Sequence, residues 1–171
     1  QEAAENFIPE IEAMGEENGW TPEETLKQLT AYYDGYHFCH RNMVDIFNPF
    51  SLINALADRE LRNYWVSSGA TSLLPKFVDN MEMKMEYFDH CFIEGDTLET
   101  SDVVNGGAEL FLYQSGYLTI KGYDDGVYIL GFPNFEVRKA LYRVVVPALT
   151  MKSNSEVVSA QSFLRKMMQD G

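Results

Sequence analysis

Cysteine, long apolar stretches and export signals are all scarce in this sequence. Its 171 residues include only two cysteines, and no apolar run approaches the roughly 18 residues of a membrane-spanning helix. The first five residues have neither the basic start nor the apolar stretch of a signal peptide. We therefore expect a cytoplasmic chain with reduced cysteines and no membrane partner. Its ends suggest a segment cut from a longer protein.

Sequence motifs that carry chemistry are also missing. No Gly-x-x-x-x-Gly-Lys-Ser/Thr occurs, so the sequence lacks the backbone nest and lysine that hold nucleotide phosphates. No Ser-His-Asp or Cys-His spacing indicates nucleophilic catalysis. We expect no catalytic, cofactor-binding or metal-binding residue in this chain, and no activity of the chain by itself.

Basic residues are few, and they are unevenly distributed. Residues 1–133 hold 7 of the 13 Lys and Arg but 23 of the 26 Asp and Glu, so this part should repel phosphate. Residues 134–171 hold 6 basic and 3 acidic residues. A solvated surface is the commoner explanation of such a tail, and nucleic-acid contact is the alternative. The basic residues concerned are Arg138, Lys139, Arg143, Lys152, Arg165 and Lys166.

Two local patterns resemble metal sites, and each has a simpler explanation. Glu82 and Lys84 match the end of a metal-dependent nuclease motif, but no strand is predicted before them, which favours a chance match. The histidines and cysteines fall at two places with a spacing unlike that of structural zinc ligands. The cysteines are better explained as small buried residues. These residues are His37, Cys39, His40, His90 and Cys91.

The chain is rich in apolar and aromatic residues, which predicts a folded core. Hydrophobic residues make up 46% of it and aromatics 13%. Residues 21–24 predict a helix start with a capping box, and Asn48-Pro49 predicts another. Residues 36–38 and 44–47 are predicted as two short strands. The second of these helices should place Phe50, Ile53, Leu56 and Ala57 on one face.

Aromatic side chains are concentrated in residues 32–65. Such side chains usually form a hydrophobic core. The alternative is a surface that stacks on a base or nucleotide. We expect them to be core. They are Tyr32, Tyr33, Tyr36, Phe38, Phe47, Phe50, Tyr64 and Trp65.

The second half predicts a helix, a hairpin and a helix. Residues 102–115 have helical spacing, and residues 117–120 and 127–130 alternate as strands around an Asp-Gly turn. Asn134 should cap a long helix that Pro147 bends or ends. We therefore expect an α+β fold, mostly helical, in which a helical lid-like module with a short hairpin precedes a winged-helix-like module.

Several motifs in a fixed order carry a family resemblance. They are Tyr-Tyr-Asp-Gly-Tyr-His-Phe ending at Phe38, Asn-Pro-Phe-Ser-Leu-Ile from Asn48, Tyr64-Trp65, and the stretches 112–120 and 130–138. Over nearly all of residues 20–150 the chain resembles AAA-ATPase-like proteins that carry a C-terminal PD-(D/E)xK nuclease-like domain. The motif residues, which we expect to be structural, are Tyr33, Asp34, Gly35, Tyr36, Phe38, Asn48, Pro49, Tyr64, Trp65, Gly116, Tyr117, Pro133 and Asn134.

The resemblance implies a division of labour along a longer protein. Residues 1–88 would be the C-terminal, lid-like part of the ATPase-like domain, residues 89–150 a winged-helix-like connector, and residues 151–171 the start of a helical linker. ATP and Mg²⁺ would bind only in the missing domains. The chain itself would be non-catalytic. Its partners would be the upstream ATPase core and the downstream nuclease-like domain, and it would couple the one to the other.

Two other functions are kept as alternatives. One is a nucleic-acid-binding winged helix that uses the six basic residues of the tail, and the acidic charge of the rest of the chain opposes it. The other is a protein-interaction or dimerisation module that exposes apolar surface.

Overall fold

The computed structural model describes residues 6–65, 85–99 and 106–150, and this part has the expected α+β architecture. Its first half is helical. Helix α1 spans Ile8–Asn18 and ends at Gly19, whose φ of 74° is left-handed. Helix α2 spans Pro22–Tyr33, and helix α3 spans Pro49–Asp58.

The predicted starts of α2 and α3 are confirmed by their caps. The Glu24 N–H donates to Thr21 Oγ1 at 3.2 Å, and the Thr21 N–H donates to Glu24 Oε2 at 2.8 Å, which completes a capping box. Asn48 Oδ1 accepts from the N–H groups of Phe50 and Ser51 at 3.1 and 3.2 Å. Both helices therefore begin where a side chain satisfies their free N–H groups.

Helix α3 packs against its neighbours through a different face from the one predicted. Leu56 is buried, but Phe50 and Ile53 are 50% and 56% exposed. The spacing is ambiguous because both sides of this helix are apolar, and the buried side also carries Ser51. With α1 and α2 it forms the helical core, whose buried members are Ile11, Met14, Leu29, Tyr33, Leu52, Ala55 and Leu56.

The two short strands predicted in the first half are reduced to one bridge. Tyr36 and Ile46 exchange both main-chain hydrogen bonds, at 3.1 and 3.2 Å. The next N–H, that of His37, points away from this bridge and donates to the Thr119 side chain at 2.7 Å. The segment 35–48, which we call the strap, is consequently shaped by contacts with the second half of the chain.

The second half contains a three-stranded antiparallel sheet. A 3₁₀ turn (Met85–Asp89) leads into strand β1 (Cys91–Glu94), which the four-residue helix α4 (Gly95–Leu98) follows. Helix α5 (Gly107–Gln114) precedes the hairpin of β2 (Thr119–Asp124) and β3 (Val127–Gly131). The strand order is β1-β3-β2, so β3 is central.

The predicted hairpin is confirmed, with two local features. Asp125 and Gly126 both have positive φ, 42° and 87°, as a two-residue type I′ turn requires. Further along, Ile120 pairs with Leu130 and Gly122 with Ile129, which leaves Lys121 as the extra residue of a β-bulge.

Helix α6 (Phe135–Thr150) closes the described structure. Asn134 caps it as predicted, since its Oδ1 accepts from the Val137 N–H at 3.1 Å. Pro147 does not end this helix, which continues to Thr150. The sheet core, to which this helix contributes Val137 and Leu141, also includes Phe88, Cys91, Leu110, Leu112, Leu118 and Leu130.

Some predictions fall outside the described residues. They include the helix expected after Thr71, the Glu82 and Lys84 pair, the start of the helix expected from residue 102, and all of residues 151–171. In the part that is described, no helix is both long and apolar enough to cross a membrane.

Candidate functional site

Residues from the two halves of the chain meet in a buried junction. Tyr36 and Trp65 belong by sequence to the helical half, yet both are buried in the sheet core. The Tyr36 hydroxyl donates to the Gly116 carbonyl at 3.1 Å. The Trp65 and Tyr117 rings meet edge to face, with centroids 4.6 Å apart. Two aromatic residues of the first half therefore anchor directly on the loop between α5 and β2.

Gly35 allows the strap to approach the residues before α6. Its φ is 97°, and a Cβ at this position would collide with the Pro133 carbonyl oxygen. Lys121 Nζ donates to the Gly35 carbonyl at 3.2 Å and to the Pro133 carbonyl at 3.5 Å. Only glycine combines this conformation with so close a contact.

His37 fixes the strap along the outer edge of β2. The Thr119 hydroxyl accepts a hydrogen bond from the His37 N–H and donates one to the His37 carbonyl at 2.8 Å. The imidazole Nδ1 lies 2.9 Å from the Ile120 carbonyl oxygen, and Nε2 lies 2.9 Å from Asp45 Oδ1. The His37 imidazole thereby covers one main-chain carbonyl of β2 that a sheet edge would otherwise expose.

Glu136, in the first turn of α6, is the polar centre of the junction. Its side chain is fully buried, and Oε1 accepts from the Trp65 N–H at 2.8 Å. Burial raises the pKa of the Glu136 carboxyl, while the Ser51 hydroxyl and the N–H groups of Trp65 and Tyr64 favour the charged form and oppose this shift. One carboxyl thus joins α6 to the chain that follows α3.

Most of the motif residues lie at this junction. Asp34 ends α2, and its Oδ1 accepts from the Gly35 N–H at 2.9 Å; burial raises its pKa. Tyr33 is fully buried and exchanges hydrogen bonds with the main chain of Arg62. The motif residues gathered here are Tyr33, Asp34, Gly35, Tyr36, Trp65, Gly116, Tyr117, Pro133 and Asn134.

The other motif residues have local roles or none at the junction. Asn48 caps α3, where Pro49 is the first residue. Only the main chain of Tyr64 acts on Glu136, while its hydroxyl donates to Asp58 Oδ2 at 3.1 Å. Phe38 is 70% exposed, so the prediction that it is core is wrong, as it is for Phe50. The Phe38 ring stacks on the buried Tyr36 ring, with centroids 6.2 Å apart, and leaves most of its own surface to solvent.

The sequence alone does not reveal four residues that matter here: His37, Thr119, Lys121 and Glu136. Its patterns suggest His37 only as a metal ligand and Thr119 only as a strand residue. An acidic residue just after a helix cap is the available signal for Glu136, but that pattern is normal at exposed helix starts as well. His37 binds Thr119, and Glu136 binds Trp65. Each of these partners lies more than 70 residues away along the chain, so no local pattern reveals the contact.

The basic residues of the tail are not gathered on an open surface in the described part. Arg138 Nη2 lies 2.9 Å from Asp89 Oδ2, and the guanidinium lies about 6 Å from the ring centroids of Phe132 and Tyr142. Arg143 is exposed and Lys139 is half-buried. Lys152, Arg165 and Lys166 lie outside the described residues.

The histidines and cysteines are spread over several environments. His40 stacks on Tyr123 with centroids 4.3 Å apart, and its Nδ1 lies 3.1 Å from the Tyr128 hydroxyl. Cys91 is buried in the sheet core, whereas Cys39 is exposed. Within the described ranges, no three His, Cys, Asp or Glu side chains are grouped as metal ligands.

Comparison with known proteins gives one distant relative. The chain is 25% identical over 141 residues to an uncharacterized protein in the vnfD 5′ region of Azotobacter chroococcum mcd 1. The match covers 76% of this chain but 27% of that protein, so the chain spans about a quarter of the relative's length. No family model and no solved structure matches the chain.

Proposed function

We propose that this chain is a non-catalytic coupling segment of a longer, AAA-ATPase-like protein. It would pass the nucleotide state of an upstream ATPase core to a downstream nuclease-like domain. One observation carries the proposal: nine motif residues, drawn from both halves of the sequence, lie at one buried junction. A segment that transmits a rigid-body movement needs such a tight connection between its two ends.

The contacts of the junction suit this role. Tyr36 and Trp65 place large rings from the helical half inside the sheet core, so neither half can rotate without displacing them. Polar bonds at Gly35, His37 and Glu136 add directional constraints. A movement of α2 or α3 would consequently be passed on to β2 and α6.

The experiment that tests the proposal compares two hydroxyl deletions in the full-length protein. Tyr36→Phe removes the bond to the Gly116 carbonyl, whereas Tyr64→Phe removes a hydroxyl bound to Asp58, away from the junction. Hydrogen exchange of residues 107–131 is measured with and without ATP. We expect ATP to change exchange in the wild type and in Tyr64→Phe, and the change to shrink in Tyr36→Phe. A wild-type hairpin that does not respond to ATP would contradict the proposal.

A protein-interaction or dimerisation module is the second candidate, because apolar side chains are concentrated on one exposed stretch. The large hydrophobic residues exposed between residues 38 and 53 are Phe38, Met43, Val44, Ile46, Phe50 and Ile53. Light scattering over a concentration series tests this function. Association that Phe50→Asn and Ile53→Asn abolish would support it, and a monomer at all concentrations would argue against self-association.

Nucleic-acid binding has less support from the site. Arg138 is already paired with Asp89, and the acidic first half would repel a long polyanion. Fluorescence anisotropy with DNA at several salt concentrations tests it. Binding that weakens steeply with salt and is lost in Arg143→Glu would restore this function.

A further inference from the structure

An open hollow of about 590 Å³ lies beside the junction, and its lining has more basic than acidic residues although the chain as a whole is acidic. It is lined by residues from the turn before β1, by the bulge of β2, and by the start of α6. The lining residues are Asp89, His90, Lys121, Phe132, Asn134, Phe135 and Arg138.

Lys121 is directed to the hollow by the β-bulge, a device that turns one side chain away from the regular alternation of a strand. Its ammonium donates to two carbonyl oxygens, those of Gly35 and Pro133. No carboxylate in the described part lies within 4 Å of it, although Asp34 and Asp45 act on it from farther away. Burial lowers the pKa of Lys121, and those two carboxylates oppose the shift.

The lining of the hollow contains a second cation, Arg138. Arg138 is 30% exposed and holds Asp89 through one nitrogen, against the faces of Phe132 and Tyr142. Asn134 also lines the hollow, but its side-chain Nδ2 is buried. Two cations and aromatic walls together offer donors for an anion and an apolar surface for the group that bears it.

We propose that this hollow binds a small phosphate monoester, with its phosphate between Lys121 and Arg138 and its organic part against Phe132 and Phe135. Asp89 opposes the anion and sets the strength of binding. Because Lys121 also holds Gly35 and Pro133, an occupied hollow would tighten the junction. Only this last consequence rests on the proposed coupling function, and the binding itself does not.

Calorimetric titration with phenyl phosphate, inorganic phosphate and phenol at matched ionic strength tests the site. We expect phenyl phosphate to bind more tightly than inorganic phosphate, and phenol not to bind. Lys121→Gln should weaken the binding of phenyl phosphate about tenfold, since a charge-assisted hydrogen bond is lost. Lys139→Gln, which removes the same charge from α6 without lining the hollow, should leave binding within about twofold of the wild type.

A variant with the opposite expected effect keeps the test decisive if Lys121→Gln fails to fold. Asp89→Asn removes the repelling carboxylate, so it should strengthen binding several-fold. Weaker binding in Asp89→Asn, equal losses in Lys121→Gln and Lys139→Gln, or no binding of either phosphate would overturn the site. Binding without any effect of ATP on the hairpin would uphold the site and contradict only the coupling function.

Discussion

At the residue scale, the junction depends on a few positions whose chemistry is narrowly defined. Gly35 is required by a backbone conformation and by a neighbouring carbonyl, and Glu136 is a carboxyl held by partners from the other half of the molecule. At such positions even a small substitution has a large effect, because the surrounding atoms cannot move apart without opening the core.

Gly35→Ala should lower the free energy of unfolding by about 2 kcal/mol or more, because left-handed strain adds to a collision with Pro133. Gly19→Ala is the matched control. Gly19 also has a positive φ, but nothing lies within 4 Å of the added Cβ, so only the strain of about 1 kcal/mol is expected. Urea unfolding measures both, and equal losses would contradict the close approach at Gly35.

The two cysteines should differ sharply towards thiol reagents. Burial raises the pKa of the Cys91 thiol to about 12, whereas Cys39 is exposed. We expect one thiol to react with Ellman's reagent in the folded protein and two in urea. Cys39→Ser should abolish the reaction of the folded protein; rapid modification of Cys91 in that variant would mean that the sheet core opens readily.

At the element scale, the strap and strand β2 stabilise each other through side-chain bonds instead of a regular ladder. The Thr119 hydroxyl accepts a hydrogen bond from the His37 N–H and donates one to the His37 carbonyl.

The Asp-Gly turn, the capping box and the Asn134 cap were predictable from the sequence, since each depends on residues within four positions. The strap, the bulge and the buried face of α3 were not, since they depend on partners far along the chain.

Thr119→Val should lower the free energy of unfolding by about 1–3 kcal/mol, because the shape is kept but the N–H and carbonyl of His37 lose their partner. Thr30→Val on the exposed side of α2 is the control and should change stability by less than about 1 kcal/mol. Chemical denaturation measures the pair. A neutral Thr119→Val would show that the strap is held by its aromatic anchors alone.

At the scale of the whole molecule, the two cores should unfold together. Tyr36 and Trp65 belong to the chain of one core and are buried in the other, and Glu136 is bonded across the boundary. The α+β architecture could be predicted from the sequence. The site could be predicted only in part, because the motif residues were identified without the contacts that bring them together.

Cooperative unfolding can be followed with two probes. In Trp20→Phe, Trp65 is the remaining tryptophan and reports on the junction, while far-ultraviolet circular dichroism reports on the helices. The two transitions in urea should coincide, as expected of a two-state protein. A loss of Trp65 signal at clearly lower urea would show that the junction separates before the helices unfold.

Stability should also depend on pH through Glu136. Its pKa is raised in the folded state, so the folded protein binds this proton more tightly than the unfolded chain does. The resulting stabilisation is complete below the ordinary pKa of 4.5, declines as the pH rises through it, and is lost above the raised value.

Glu136→Gln cannot titrate, so its free energy of unfolding relative to the wild type should increase from pH 4 towards neutrality. The increase should be about 1.4 kcal/mol for every tenfold difference in proton affinity of Glu136 between the folded and the unfolded state. Urea unfolding of both proteins at several pH values measures it. A constant difference across this range would show that the carboxyl does not titrate differently in the folded state.

The length of chain between the partners of the junction has a consequence for biosynthesis. His37 and Thr119 are separated by 82 residues, so a ribosome adding about 5–20 residues per second completes the strap long before β2 exists. Tyr36 therefore lacks the core that will bury it for about 4–16 seconds. Trp65 lacks that core for a shorter time. During translation these two rings lack their final apolar surroundings, and slower synthesis between residues 65 and 119 would prolong that period.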